Sequence, residues 1–548
     1  MLAAAVAAAT AACLFAAPAI AAQTPGSAVT DPNALTRPAE LDRPPPNHVR
    51  SARQVVATAQ RLPDIRRTLR THPGPTCEAF LKGTLHWQVS CYARPKRGQI
   101  QGKEIGQVLI DDRSGVVLEH WTGFQVAWTM ARGYAGAFGR KAAAIYVWLP
   151  LCLLFLVPFI DPRRPFRLLH LDLLVLLGFS VSLAFFDHGN IGMSVPLAYP
   201  PLLYLFVRML MVARRRRSGD RGEPLRLLVP TTWLAVALVF LVGFRVGLNV
   251  TNSNVIDVGY AGVIGADRLA DGTSLYGHFP ADNEHGDTYG PVNYYAYVPF
   301  EQLLPWSGTW DDLPAAHAAA VAFDLLTLVG LWLLGRRLRG PRLGWVLAYA
   351  WAAFPFTLYA ANSNSNDGLV AMLLTLALLV ARWAPARGAA VALAGLTKFA
   401  PLALAPVFAT AGPACAGLGR RVRGVTLFAV GFLVTAGVVM LPVLVGGDLD
   451  TFYERTIEFQ RARGSPFSVW GFYGWDTAQS VVQAAAGAFA VAAAFLPRRR
   501  DLIGLAALAA AVVIALQLGV THWFYLYIVW FLPFVLVALL GRYAEPER

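Results

Sequence analysis

Val255-Ile-Asp-Val-Gly-Tyr260 opens an acidic, aromatic stretch, Asp257 to Glu301, set between apolar windows at 227–248 and 314–335. Ser274-Leu-Tyr-Gly277 and Asp287-Thr-Tyr-Gly-Pro-Val-Asn-Tyr294 follow within it. A polar stretch of this kind between two apolar windows reads as a loop of a membrane protein. The composition agrees: 548 residues are 56% hydrophobic and 15% charged, and the mean hydropathy is +0.47. That is too apolar for a soluble globular chain of this length. A hydrocarbon core about 30 Å thick needs roughly 17 to 25 apolar residues per helix. Windows of that kind lie at 143–160, 168–187, 194–212, 227–248, 314–335, 344–360, 367–383, 424–445, 478–496, 502–519 and 522–540. The expected fold is an all-α polytopic bundle of about eleven spans, carrying a small α+β domain before it.

The net charge of +14 does not point to nucleic acid, because the basic residues sit in short loops. Arg163, Arg164 and Arg167, Arg214 to Arg217, Arg336 to Arg342, Arg382 and Arg387, Arg420 to Arg423 and Arg498 to Arg500 recur on what alternation makes one side. The positive-inside rule makes that side cytoplasmic and the Asp257 stretch extracytoplasmic. Arg132, Arg140 and Lys141 flank the first window on the opposite side, and the later loops decide the orientation.

Residues 1–22 read as a signal peptide or, lacking a basic n-region, an uncleaved anchor. Residues 23–50 form a Pro-rich linker and 51–142 an extracytoplasmic α+β domain. Within it, Gly106 to Glu119 alternates around Asp-Arg-Ser-Gly, which predicts a hairpin. Cys77 and Cys91 are expected to pair in this oxidising compartment, whereas Cys13, Cys152 and Cys415 read as small apolar residues. Accessory helices then occupy 143–226, and a transmembrane core occupies 227–548.

Several residues carry candidate chemistry. Asp257 at the outer surface suits a general base, the ordinary alternative being a helix cap. Asn362-Ser-Asn-Ser-Asn-Asp367 stands at the mouth of a window, where Asn364, Asn366 and Asp367 suit sugar hydroxyls or capping. Lys398, in Leu396-Thr-Lys-Phe-Ala-Pro401, is a cation at membrane depth and so needs a partner or a function. Basic residues on both sides of 389–411 predict a re-entrant pair of half-helices broken at Lys398 to Pro401. Arg461 and Arg463 stand out in an outer loop with Tyr453, Trp470 and Trp475, and His522 opens the last window. Asp324 and Arg245, both within windows, either line the cavity or pair with each other. No zinc-type His/Cys spacing is present, so no metal or other cofactor is expected.

Residues 227–540 resemble the GT-C class of membrane glycosyltransferases, and within it the family 87 enzymes that use polyprenyl-phosphate mannose. Asp257, Tyr260 and Tyr289-Gly-Pro291 stand where that family has an Asp, a Tyr and a Tyr-x-Pro-Pro-like stretch, and Gly395-Leu-Thr-Lys-Phe-Ala-Pro401 matches its Ala/Gly-x-x-Lys-x-x-Pro segment. One departure is Gly290, where relatives often have Pro. The resemblance implies inverting transfer of a sugar, mannose being the one it suggests, from a polyprenyl-phosphate donor to a lipid or cell-envelope glycan. Asp257 would act as base, and Tyr260, Asp287, Tyr289, Asn364, Asn366, Asp367, Lys398, Arg461, Arg463 and His522 would form the substrate site. The region 51–130 is similar to PepSY-type modules through its one hairpin. The rival class is a transporter or lipid flippase, which shares broken helices and buried charges but should show two related halves; 143–340 and 344–540 show no repeat.

Overall fold

The computed structural model describes residues 35–95, 102–134, 136–214, 224–411, 418–496, 499 and 501–543. The signal-or-anchor segment, Cys13, Cys415, Arg215 to Arg217, Arg498 and Arg500 lie outside the described residues. The described chain divides into two units, one of 35–134 with 187–190 and one of 136–186 with 191–543.

The first unit is a five-stranded antiparallel sheet in sequence order: β1 Leu35–Thr36, β2 Thr76–Lys82, β3 His86–Tyr92, β4 Glu104–Asp111 and β5 Val117–Thr122. Helices Ala52–Arg61 and Pro63–Thr71 contribute Val55, Ala59 and Ile65 to a core that Trp87, Val89, Val108 and Ile110 complete from the sheet. Ser51 starts the first helix with a reciprocal capping box to Gln54. The expected hairpin is present as β4 and β5: Asp111 accepts from Ser114 N–H at 2.7 Å, and Gly115 takes the left-handed φ of +73° that closes the turn. Cys77 faces Cys91 across β2 and β3, and the two form a disulfide.

The second unit is helical. Among the described residues six helices are long and apolar enough to cross a membrane: Leu168–Asp187, Ile191–Ala213, Thr231–Thr251, Pro314–Arg339, Leu418–Val445 and Leu502–Gly519. They fall on six of the expected windows. A seventh span forms if Pro341–Ala353 and Pro355–Asn362, bent by 60°, count as one. The bend follows from Pro355, which lacks an N–H and keeps Phe354 extended at ψ 123°. The windows at 143–160, 367–383 and 522–540 hold the shorter helices Ile145–Phe159, Asp367–Leu379 and Tyr525–Leu540, and 478–496 holds Asp476–Ala492. A helix of 13 residues such as Asp367–Leu379 rises only about 20 Å, less than the hydrocarbon thickness. Asp367–Leu379 starts directly after a buried polar turn at 362–366. Helix Ala384–Gly395 stops at Gly395, turns through 396–399 and resumes as Ala400–Leu404. A Cβ on Gly395 would lie 2.2 Å from Leu402, which shows how tightly the chain folds back there.

Buried ion pairs hold these helices together. Arg245 and Asp324 pair with each other: Nη2 to Oδ1 is 2.6 Å and Nε to Oδ2 is 2.9 Å. Trp351 Nε1 donates to the same Oδ1 at 2.8 Å, and Arg245 Nη1 reaches the carbonyl of Ala352 at 3.2 Å, a group that the break at Pro355 leaves without a helical partner. Arg208 and Asp172 form a second bidentate pair, joined by the Tyr204 hydroxyl.

Candidate functional site

Backbone pairing between distant segments brings several polar stretches together. Asn254 N–H donates to Asn362 O at 3.1 Å and Ile256 N–H to Ser363 O at 3.3 Å, which sets the start of helix Asp257–Ala270 against the turn before Asp367. Gly259 permits that approach, since a Cβ there would lie 2.0 Å from Asn364 O. Gly290 N–H donates to Thr397 O at 3.2 Å and Val292 N–H to Leu396 O at 3.1 Å, bringing Tyr289 over the Lys398 turn. The departure from Pro at position 290 thus has a physical cause. Proline would delete the N–H that meets Thr397, and any Cβ would stand 2.0 Å from Leu396 O.

Asp257 occupies the first turn of its helix, and its Oδ1 accepts from Val258 N–H at 2.9 Å. Its carboxylate is exposed to solvent while protein crowds it from the sides. Desolvation by that crowding is the largest influence and raises its pKa above the ordinary carboxylate value; the Val258 N–H, Arg463 and Lys398 oppose the rise, and Asp367 adds to it. Contact with water limits the size of the rise and leaves its direction. Tyr289 is half-buried, and its hydroxyl is pushed well up by burial and then by Asp257, Tyr527 and Asp367. His522 is pushed down to about 3, by desolvation first and then by Arg463 and Lys398. It therefore stands neutral near pH 7, with Nδ1 2.9 Å from Ser465 Oγ.

Lys398 has a partner. Its Nζ lies 2.6 Å from Asp367 Oδ1, and the ring centroids of Tyr289, Tyr527 and Trp530 surround it at 5.3, 5.5 and 5.1 Å. Asp367 opens helix Asp367–Leu379 without capping it, because Oδ1 takes Lys398 and the Trp530 indole at 2.8 Å.

The other expected site residues take these places. Asp287 is fully buried, bound to Arg455 at 2.8 Å and to Gly277 N–H at 2.7 Å, so it fastens the segment around Arg455 to the loop before Tyr289. Tyr260 is buried one turn after Asp257, donates to Asp282 at 3.2 Å and packs against Trp306 and Trp310. Asn364 holds a left-handed φ of +48° and is hydrogen-bonded to Asn249, Ser253 and the Asn254 carbonyl. Asn366 donates to Asn293 Oδ1 at 2.7 Å. Arg463 is half-buried and acts electrostatically on Asp257, whereas Arg461, two residues earlier, is exposed and is not among the charges that do so. The structure thus joins Asp257, Tyr289, Asp367, Lys398, Arg463 and His522 in one electrostatic group. Tyr527 and Trp530 belong to it too, although an aromatic residue in an apolar window reads as ordinary core. The one available signal is that a buried indole N–H requires an acceptor.

No family model matches the chain, and no curated protein matches it. Among solved structures it is similar to ArnT from Cupriavidus metallidurans bound to undecaprenyl phosphate, at 19% identity and a TM-score of 0.39. That match covers 57% of this chain and 60% of the ArnT chain.

Proposed function

We propose that the chain is a GT-C type membrane glycosyltransferase. It takes a sugar, mannose in the first instance, from a polyprenyl-phosphate donor and passes it to a lipid or envelope-glycan hydroxyl on the extracytoplasmic face. The observation that supports this reading best is the convergence of a solvent-open carboxylate, Asp257, with two cations, Lys398 and Arg463, and a neutral imidazole, His522. These groups come from four separate stretches of sequence. A carboxylate beside a cationic pocket suits a reaction in which a hydroxyl loses its proton while an anionic leaving group departs.

The acceptor oxygen attacks the anomeric carbon from the side opposite the phosphate. The bond from that carbon to the phosphate oxygen breaks, its electron pair stays on the phosphate, and the acceptor proton passes to Asp257. The configuration inverts. The raised pKa of Asp257 makes it a stronger base than an ordinary carboxylate, and a positioned base contributes about 10²- to 10⁴-fold. Lys398 and Arg463 hold the departing phosphate by charge-assisted hydrogen bonds, and His522 offers a ring nitrogen without adding charge. Tyr289 and Tyr527 supply faces for the sugar ring. The sheet unit is, in this reading, a PepSY-like module.

Purified protein in proteoliposomes, given labelled polyprenyl-phosphate sugars and an envelope-lipid extract, is expected to form product with the lipid-linked donor and none with the matching nucleotide sugar. Use of the nucleotide sugar would refute the reading. Movement of labelled glycolipid across the bilayer with no new glycosidic bond would favour the flippase.

A further inference from the structure

Three buried carboxylates in the helical unit share one construction, in which a single oxygen accepts both a cation and an aromatic donor. Asp172 Oδ1 takes Arg208 Nε at 2.7 Å and the Tyr204 hydroxyl at 2.8 Å. Asp324 Oδ1 takes Arg245 Nη2 at 2.6 Å and Trp351 Nε1 at 2.8 Å. Asp367 Oδ1 takes Lys398 Nζ at 2.6 Å and Trp530 Nε1 at 2.8 Å. In the first two the guanidinium fork also engages the second oxygen, Arg208 Nη2 to Oδ2 at 3.0 Å and Arg245 Nε to Oδ2 at 2.9 Å. Those pairs are closed on both sides and join helices.

The third differs. Its cation is an ammonium with three donors, and among the described residues Asp367 is its one hydrogen-bond partner. The rest of its surroundings are the rings of Tyr289, Tyr527 and Trp530, which stabilise a cation through their faces without accepting its hydrogens as a carboxylate would. Lys398 also acts electrostatically on Asp257 and His522. We infer that Asp367 and Trp530 are positioning residues: they fix Lys398 by one hydrogen bond and leave its remaining N–H groups to the phosphate of a lipid donor. This rests on the donor-phosphate reading above. It also gives a reason for lysine at this position. An arginine would close on Asp367 through both oxygens, as Arg208 and Arg245 close on theirs, and would present less of its charge to the donor phosphate.

The sister site provides the control. Binding of a polyprenyl phosphate and of the matching polyprenol, which lacks the phosphate, is measured by native mass spectrometry on wild type, Trp530→Phe, Lys398→Arg and Trp351→Phe, with thermal unfolding on the same samples. Trp530→Phe keeps a ring and removes one hydrogen bond to a charged group. Phosphate-lipid binding is expected to weaken roughly tenfold to hundredfold in Trp530→Phe and in Lys398→Arg, with polyprenol binding unchanged. Trp351→Phe, the same chemical change at Asp324, is expected to lower the unfolding temperature and leave lipid binding as in wild type. Wild-type affinity for the phosphate lipid in both Trp530→Phe and Lys398→Arg would overturn the positioning role alone. A wild type that binds polyprenol as tightly as its phosphate would overturn the donor-phosphate reading and the inference together.

Discussion

The Arg245 and Asp324 pair joins helix Thr231–Thr251 to helix Pro314–Arg339, and breaking it has a calculable consequence. The two charges are joined at 2.6 and 2.9 Å and are both buried, and the same guanidinium reaches Ala352 O at the break in Pro341–Asn362. At an effective dielectric of about 20, opposite charges about 4 Å apart attract by roughly 4 kcal/mol. Removing one partner strands the other as an unpaired buried charge, so Asp324→Leu or Arg245→Met alone should destabilise by about 3–5 kcal/mol. The double variant removes both charges. It should recover most of that loss, leaving about 1–3 kcal/mol for the orphaned Trp351 N–H. Thermal unfolding in detergent, followed by tryptophan fluorescence on all four proteins, gives the double-mutant cycle. The two single variants should each melt well below wild type, and the double should melt above either of them. Single variants within about 1 kcal/mol of wild type, or a double variant as unstable as the two losses added, would refute the pairing as the structural link.

Other consequences follow from the same geometry. Asp257 must be ionised to accept a proton and its pKa is raised, so activity should fall with acid at a pH above the ordinary carboxylate range; a kcat/KM profile whose acid limb sits within that range would oppose the assignment. His522 is held at about 3 against about 6.5 when unfolded, so it remains neutral in the fold where the unfolded chain would take up a proton. Its contribution to stability is therefore complete above about pH 6.5 and declines as pH falls below it, and His522→Gln should flatten the acid side of an unfolding-temperature profile. Asp287→Asn removes the carboxylate that Arg455 and Gly277 share; limited proteolysis should cut the segment around Arg455 faster, with a loss of about 1.5–3 kcal/mol. Replacing Cys77 and Cys91 by Ser opens a loop of 14 residues, and the sheet unit should lose about 3 kcal/mol in denaturant unfolding.

The parts of this architecture that depend on local chemistry were legible in the sequence. Pro401 and the apolar windows announce helices and one break, the bend at Pro355 inside the window 344–360 was not foreseen, and a lone lysine among apolar neighbours announces a partner. The partner itself was less legible, since Asp367 lies 31 residues from Lys398 and reads equally well as a cap. Contacts formed across long stretches escaped altogether. Arg455 meets Asp287 from 168 residues away, and Trp530 meets Asp367 from 163, with no periodicity to mark either. The amide cluster shows a different difficulty. Asn364 carries the residue type of a sugar ligand, yet its left-handed backbone and its bonds to Asn249 and Ser253 are what a buried turn requires, and sequence does not separate the two. The window at 367–383 marks a helix but not its shortness, because Asp367–Leu379 has only 13 residues.

The central claim is that Asp257 takes the acceptor proton, and the direct measurement is transfer from a labelled polyprenyl-phosphate sugar by wild type and Asp257→Asn. The two proteins are compared at equal amounts and equal unfolding temperature. Asparagine keeps the shape and hydrogen bonding of the side chain and removes its basicity, so the initial rate is predicted to fall by about 10²- to 10⁴-fold while the phosphate lipid still binds. An Asp257→Asn rate within a few-fold of wild type would contradict the account and place the base elsewhere.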